Sequence, residues 1–319
     1  MKSLKKILNI ILPLLLGVFL VVYAYKQFTP AQITEMKSYF ASANYYYVFL
    51  SLIFMKISHA SRAYRWKYSL QYLGYQSGFW NNFMAISVGY LLNLTIPRSG
   101  ELSRAAVLQK YNNIPFDKGF GTIIAERIID LVCLLLFVTI TLVLQYKQLI
   151  QFFSEQIPLK QLVVFLGVAA IAGVVGLYLL YTSTLRFFVF IRNKIAGLVE
   201  GVLSIFKMPN RVPFLLHTVL IWVGFVLTFY FGTKALPATS TLTLGVTMVA
   251  FVVGSLTISF TNGGFGAFPL LIAKILGLYG VSLTAGTAFG WILWTTQTVL
   301  VIVLGGLSFL LLPIVNKEK

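Results

Sequence analysis

Apolar runs long enough to cross a membrane recur along the chain, and the gaps between them are rich in lysine and arginine. A bilayer core about 30 Å thick takes roughly 20 helical residues to cross. Runs of that order lie at residues 7–25, 45–61, 119–144, 161–181, 213–233 and 284–312. Of the 319 residues, 58% are hydrophobic and 10% charged, with 25 Lys and Arg against 8 Asp and Glu, a formal charge of +17. A soluble protein this basic would point to nucleic acid, whose binders expose their charge on a polar surface. Here the bases sit between apolar runs, which marks cytoplasmic loops instead and predicts no nucleic-acid partner. Cys133 is the single cysteine, which excludes a disulfide scaffold. His59 and His217 are isolated, so the sequence predicts no metal and no cofactor.

The first run follows Lys2, Lys5 and Lys6 and has the outline of a signal peptide. It carries Pro13 and ends at Tyr23, Tyr25 and Lys26 without a small-residue cleavage signal, so it reads as an uncleaved span with its amino terminus inside. The second run opens on Tyr45, Tyr46 and Tyr47 and ends at Arg62, Arg65, Trp66 and Lys67, aromatic and basic edges suited to the two interfaces. The bases at 186–211 permit an amphipathic helix on the cytoplasmic leaflet. With both termini cytoplasmic, most bases fall inside, while Lys26, Lys37, Lys147, Lys160, Lys234 and Lys274 fall outside. The fold predicted for residues 1–319 is one all-α integral membrane domain with six full spans.

Two further apolar stretches are broken in the middle. Residues 79–111 break at Pro97-Arg98-Ser99-Gly100-Glu101, and residues 242–279 at Asn262-Gly263-Gly264-Phe265-Gly266. Broken helices persist in hydrocarbon only where protein or a wet cavity surrounds the break. Both read as re-entrant helical hairpins. Val88-Gly89-Tyr90-Leu91 and Val253-Gly254-Ser255-Leu256 stand at the same offset before their breaks, and Phe120-Gly121 and Phe289-Gly290 follow. Three spans between the hairpins would make their orientations opposite. The expectation is an inverted repeat, an arrangement that places a binding site near the midplane.

Ionisable residues inside a membrane are costly and need partners. Arg98, Glu101 and Arg104 lie three apart, on one face if that limb is helical; Glu126 and Asp130 lie four apart, with Arg127 beside them. The arginines have the fork geometry to grip a phosphate, and the carboxylates could orient them or exchange protons. A structural ion network pinning the hairpin is the alternative. Arg62, Arg65 and Trp66 read equally as interfacial anchors or as a headgroup site. Lys56 and His59 suggest a polar stripe, and His217 suggests no role. Trp291 and Trp294 are expected to pack within the bundle. Gly263, Gly264 and Gly266, with Asn262 before them, would let backbone amides approach an anion. No nucleotide loop is present.

Taken in order, Arg62-Ala63-Tyr64-Arg65-Trp66, Pro97-Arg98-Ser99-Gly100-Glu101 with Arg104, Glu126-Arg127 with Asp130, and Asn262-Gly263-Gly264-Phe265-Gly266 resemble the flippase-like membrane region of lysylphosphatidylglycerol synthases and their stand-alone relatives. The resemblance runs over nearly the whole chain. It implies a membrane domain with re-entrant helices that moves an anionic or aminoacylated lipid between leaflets. The synthase proper adds a soluble acyltransferase-like domain; this chain stops at Lys319, so lysyl transfer is not expected. The reading is thus a lipid flippase of the bacterial inner membrane. Phosphatidylglycerol derivatives, polyprenyl phosphates and glycolipid precursors are all compatible lipids. Arg98, Arg104 and Arg127 would hold phosphate, and Glu101, Glu126 and Asp130 would balance charge or carry protons. A membrane-embedded lipid-phosphate phosphatase or transferase is the alternative, a non-transporting accessory subunit a third, and a homo-oligomer is left open.

Overall fold

A computed structural model describes residues 28–96, 98–147, 178–192, 207–261 and 263–317, with scattered positions at 18–26 and 171–176. Most of the expected first and fourth spans lies outside the described residues, as do Pro97 and Asn262. Every described element is a helix: α1 (Pro30–Ser42), α2 (Tyr45–Tyr72), α3 (Phe79–Thr95), α4 (Ser99–Asn112), α5 (Phe116–Leu144), α6 (Arg211–Thr233), α7 (Pro237–Ser240), α8 (Leu244–Phe260), α9 (Ala267–Gly277) and α10 (Leu283–Val315). Short helical stretches also occur at Val174–Thr182 and Arg186–Arg192. The chain packs as two compact units, one of residues 1–124 with 212–319 and one of residues 125–211.

By length and composition α5, α6 and α10 can each cross a membrane, and two bent helix pairs raise the number to five. One pair is α1 with α2, bent by 72°. Thr29 starts α1 with a reciprocal cap, its hydroxyl accepting from the Gln32 amide while the Gln32 side chain accepts from the Thr29 amide. The sequence places the inner edge of the second span at residue 61. Instead α2 runs on to Tyr72, a 28-residue helix about 42 Å long. Arg62, Arg65 and Trp66 therefore lie within a continuous helix, and all three are buried. They are not exposed interfacial anchors.

In a bilayer, small residues and side-chain hydrogen bonds hold helices together, because lipid is as apolar as leucine. The α2–α6 contact shows both. Gly224 leaves room for Ser58, the Ser58 hydroxyl donates to the Ile221 carbonyl at 2.9 Å, and the Thr228 hydroxyl donates to the Ser51 carbonyl at 3.3 Å. As numbering rises along α2 it falls along α6, so the two helices are antiparallel.

The two broken stretches are each a pair of helices folded back on one another. In the first, Gly89 of α3 meets Gly100 and the stem of Arg104 on α4. In the second, Gly254 of α8 leaves room for Phe268 of α9 and Phe229 of α6. Gly89 and Gly254 are each the eleventh residue of a 17-residue first limb. The helix after each hairpin packs on its second limb through glycine. Gly119 rests on Ala105 and Leu108, and Gly286 and Gly290 rest on Ala273 and Pro269. In the first half Gly119 plays this part, because Gly121 faces open space.

Helix α10 also runs antiparallel along α3. Gly305 lies against Ser87 and Leu91, and Leu312 packs with Met84 and Val88. At the foot of this pair Asn81, Asn112 and Asn316 form a hydrogen-bonded triad that ties α3, α4 and the end of α10 together.

Candidate functional site

The buried face of α2 carries an unusual charge density for a membrane helix. Arg62 is 4% exposed and Arg65 fully buried. From α4, Arg104 joins them at 5% exposure. Its guanidinium lies 4.1 Å from the centre of the buried Trp66 ring, whose indole N–H donates to the Thr122 hydroxyl of α5 at 2.9 Å. Gly89 makes this placement possible, since a methyl there would sit 3.0 Å from Arg104 Cγ. Arg65 turns towards α6, where its guanidinium donates to the Thr218 hydroxyl at 3.5 Å and stands 5.7 Å from the Phe214 ring. Each arginine at a span centre costs about 2.5–3.5 kcal/mol on insertion scales. Three buried arginines make this face the candidate site.

The other expected site residues are distributed differently. Arg98 is exposed and left-handed, φ 61°, at the start of α4. Glu101 is half-buried and Arg104 buried, so these three do not present alike on one face. Glu126 is fully buried on α5, one turn beyond Thr122. Arg127 pairs with Asp130 at 3.1 Å. The proposed polar stripe is divided, with His59 buried against Tyr90 and Lys56 exposed. His217 stacks on Tyr64 and meets Tyr68 at a tilt.

The left-handed backbone at Arg98 costs a non-glycine residue about 1–2 kcal/mol. Replacing Arg98 by glycine is expected to raise the unfolding temperature in detergent, by relief of about 1 kcal/mol. If the exposed guanidinium first captures headgroups, the same variant slows lipid movement. Stability and activity then move in opposite directions.

The second break takes its shape from Gly263, Gly264 and Gly266, with φ of 65°, 78° and 71°. The sequence expectation was that these amides approach an anion. For Gly263 and Gly264 the amides are already occupied, donating to the Thr261 carbonyl at 3.0 Å and to the Thr261 hydroxyl at 3.1 Å. The Gly263 carbonyl accepts from the Trp294 indole of α10 at 2.7 Å. Trp291, Trp294 and Phe265 form an aromatic trio beside it. In the first break, Asn93 of α3 accepts from the Gly100 amide at 2.7 Å and caps α4, which Arg98 does not. Asn93, the asparagine triad and the bond that Trp294 makes to Gly263 escaped the sequence reading, which expected Trp291 and Trp294 only to pack within the bundle. The only signal was composition: polar side chains in apolar helices.

The two breaks meet. A methyl on Gly263 would lie 3.3 Å from Leu94 Cδ2, at the end of α3. The resemblance stated above agrees with the family comparison: residues 10–306 match the family described as the lysylphosphatidylglycerol synthase TM region. The chain belongs to this family. It is a multi-pass integral membrane protein. A stretch of 94 residues is 33% identical to a UPF0104 membrane protein of Methanocaldococcus jannaschii, spanning 28% of this chain and 28% of that relative. No solved structure matches the chain.

Proposed function

We propose that this family member moves an anionic phospholipid or polyprenyl-phosphate-type lipid between the leaflets of a bacterial inner membrane. The contact of the two breaks at Leu94 and Gly263 carries this reading. Paired interrupted helices place transporter binding sites where their breaks converge, and irregular backbone at membrane depth requires a protein or wet surround. The antiparallel course of α2 and α6 supports an inverted repeat, because helices preceding equivalent hairpins in inverted halves must run oppositely. The phosphate binds the arginines of α2 and α4, while the lipid tails stay in the bilayer. Guanidinium suits this task, since its planar donor fork matches phosphate oxygens.

The test is reconstitution in liposomes containing a headgroup-labelled anionic phospholipid. The protein is expected to speed the label's transfer between leaflets without changing the lipid's mass. Phosphate release from the same vesicles would establish the enzyme alternative. Transfer no faster than in empty vesicles would end the transport reading.

A further inference from the structure

We propose that Gln297 is a binding residue of the site where the breaks meet, and that this site takes a hydroxyl-bearing headgroup, a glycerol or a sugar. The proposal rests on the transport reading above and specifies its substrate. Gln297 lies on α10 in the stripe Trp294, Gln297, Val301, Gly305, Ser308, Leu312 and Asn316. That spacing of three and four keeps one helix face in register. The stripe's lower half is the face packed on α3 through Gly305, Leu312 and Asn316. Its upper end is fixed by the Trp294 indole on Gly263. Gln297 stands two turns above Gly305. The antiparallel register of α10 on α3 carries it from the level of Ser87 and Leu91 to about that of the first break. That register brings it to the level at which Leu94 meets Gly263.

Among the described residues its buried amide Nε2 has no hydrogen-bond partner, and on α4 the Oε2 of Glu101 is likewise buried without one. A buried polar atom left unpaired costs free energy, and exceptions in native structures call for an explanation. Here one is a pure donor and the other, when ionised, a pure acceptor. A hydroxyl is both donor and acceptor, and a diol or sugar offers several. The aromatic trio Phe265, Trp291 and Trp294 adds flat apolar faces beside the amide. A bare phosphate, acceptor-rich, would be repelled by Glu101. A hydroxylated headgroup offers groups of both kinds.

Gln297→Leu tests this cleanly. If Gln297 only packs, exchanging an unpaired buried donor for an apolar side chain leaves the unliganded stability unchanged or raised. Purified protein in detergent would be titrated with phosphatidylglycerol, a monoglucosyl diacylglycerol and phosphatidic acid, reading the unfolding temperature against lipid concentration. The wild type is expected to bind one or both hydroxylated lipids at least about tenfold more tightly than phosphatidic acid, and Gln297→Leu to lose that preference. Preference for phosphatidylglycerol alone names glycerol, and preference for the glucolipid alone names sugar. Equal binding of all three, or a preference that survives in Gln297→Leu, overturns the proposal. Vesicle transfer of all three lipids at one rate would refute this site and leave the transport reading standing. Selective binding without any transfer would do the reverse.

Discussion

Gly100→Ala is expected to break the first hairpin. The added methyl would overlap the carbonyl oxygen of Gly89 and come within 2.7 Å of Asn93 Nδ2. The obstacle is the main chain of the opposite limb, which no rotamer change can clear. The limbs must part, losing the bond from the Gly100 amide to Asn93 and the fit of Arg104 beside Gly89. Overpacking of a tight core costs about 1–3 kcal/mol and the lost hydrogen bond about 1 more, so a loss of about 2–4 kcal/mol is expected. Thermal unfolding in detergent reads it. Gly121→Ala is the control: among the described residues nothing lies within 4 Å of the new methyl, and alanine is the better helix former by about 0.8–1.0 kcal/mol. If both variants unfold at the wild-type temperature, the limbs are not in backbone contact.

Arg104→Ala is expected to abolish lipid transfer and to destabilise the protein by about 3 kcal/mol. The guanidinium above Trp66 contributes about 2 kcal/mol as a desolvated cation–π pair, and its buried stem adds packing that alanine leaves empty. Arg104→Lys separates charge from shape. Lysine keeps the positive charge but offers neither the planar fork nor the stacked face. Transfer is expected to fall at least tenfold in Arg104→Lys with much of the stability retained. Wild-type rates in both variants, in the same liposomes, would remove Arg104 from the site.

The two folded-back helix pairs were legible because their breakers stand inside apolar runs, and glycine interrupts a helix for reasons local to the chain. The equivalence of Gly89 and Gly254 could be read too, since each marks a close approach at a fixed distance from its break. The length of α2 could not. Arg62, Arg65 and Lys67 have the composition of a membrane edge, and only tertiary burial distinguishes an edge from an interior. The same cause regrouped the arginines. Arg98, Arg104 and Arg127 are neighbours by motif, whereas Arg62, Arg65 and Arg104 share deep burial across two helices. Partners far apart in sequence leave no periodic trace, so the bond from Trp294 to Gly263 and the triad of Asn81, Asn112 and Asn316 became visible only in three dimensions.

That triad bears on how the protein should be handled. Asn316 is the residue after α10, and its amide bonds Asn81 at the open end of the first hairpin. A bulky fusion partner placed directly after it would pull on the hairpin's base rather than on a neutral tail. Purification handles and fluorescent reporters belong on a spacer or at the other terminus. Conversely, a paired spin label or fluorophore at Lys317 and at an exposed position of α4 such as Lys110 would report the distance between these two helix ends without touching a residue of the candidate site.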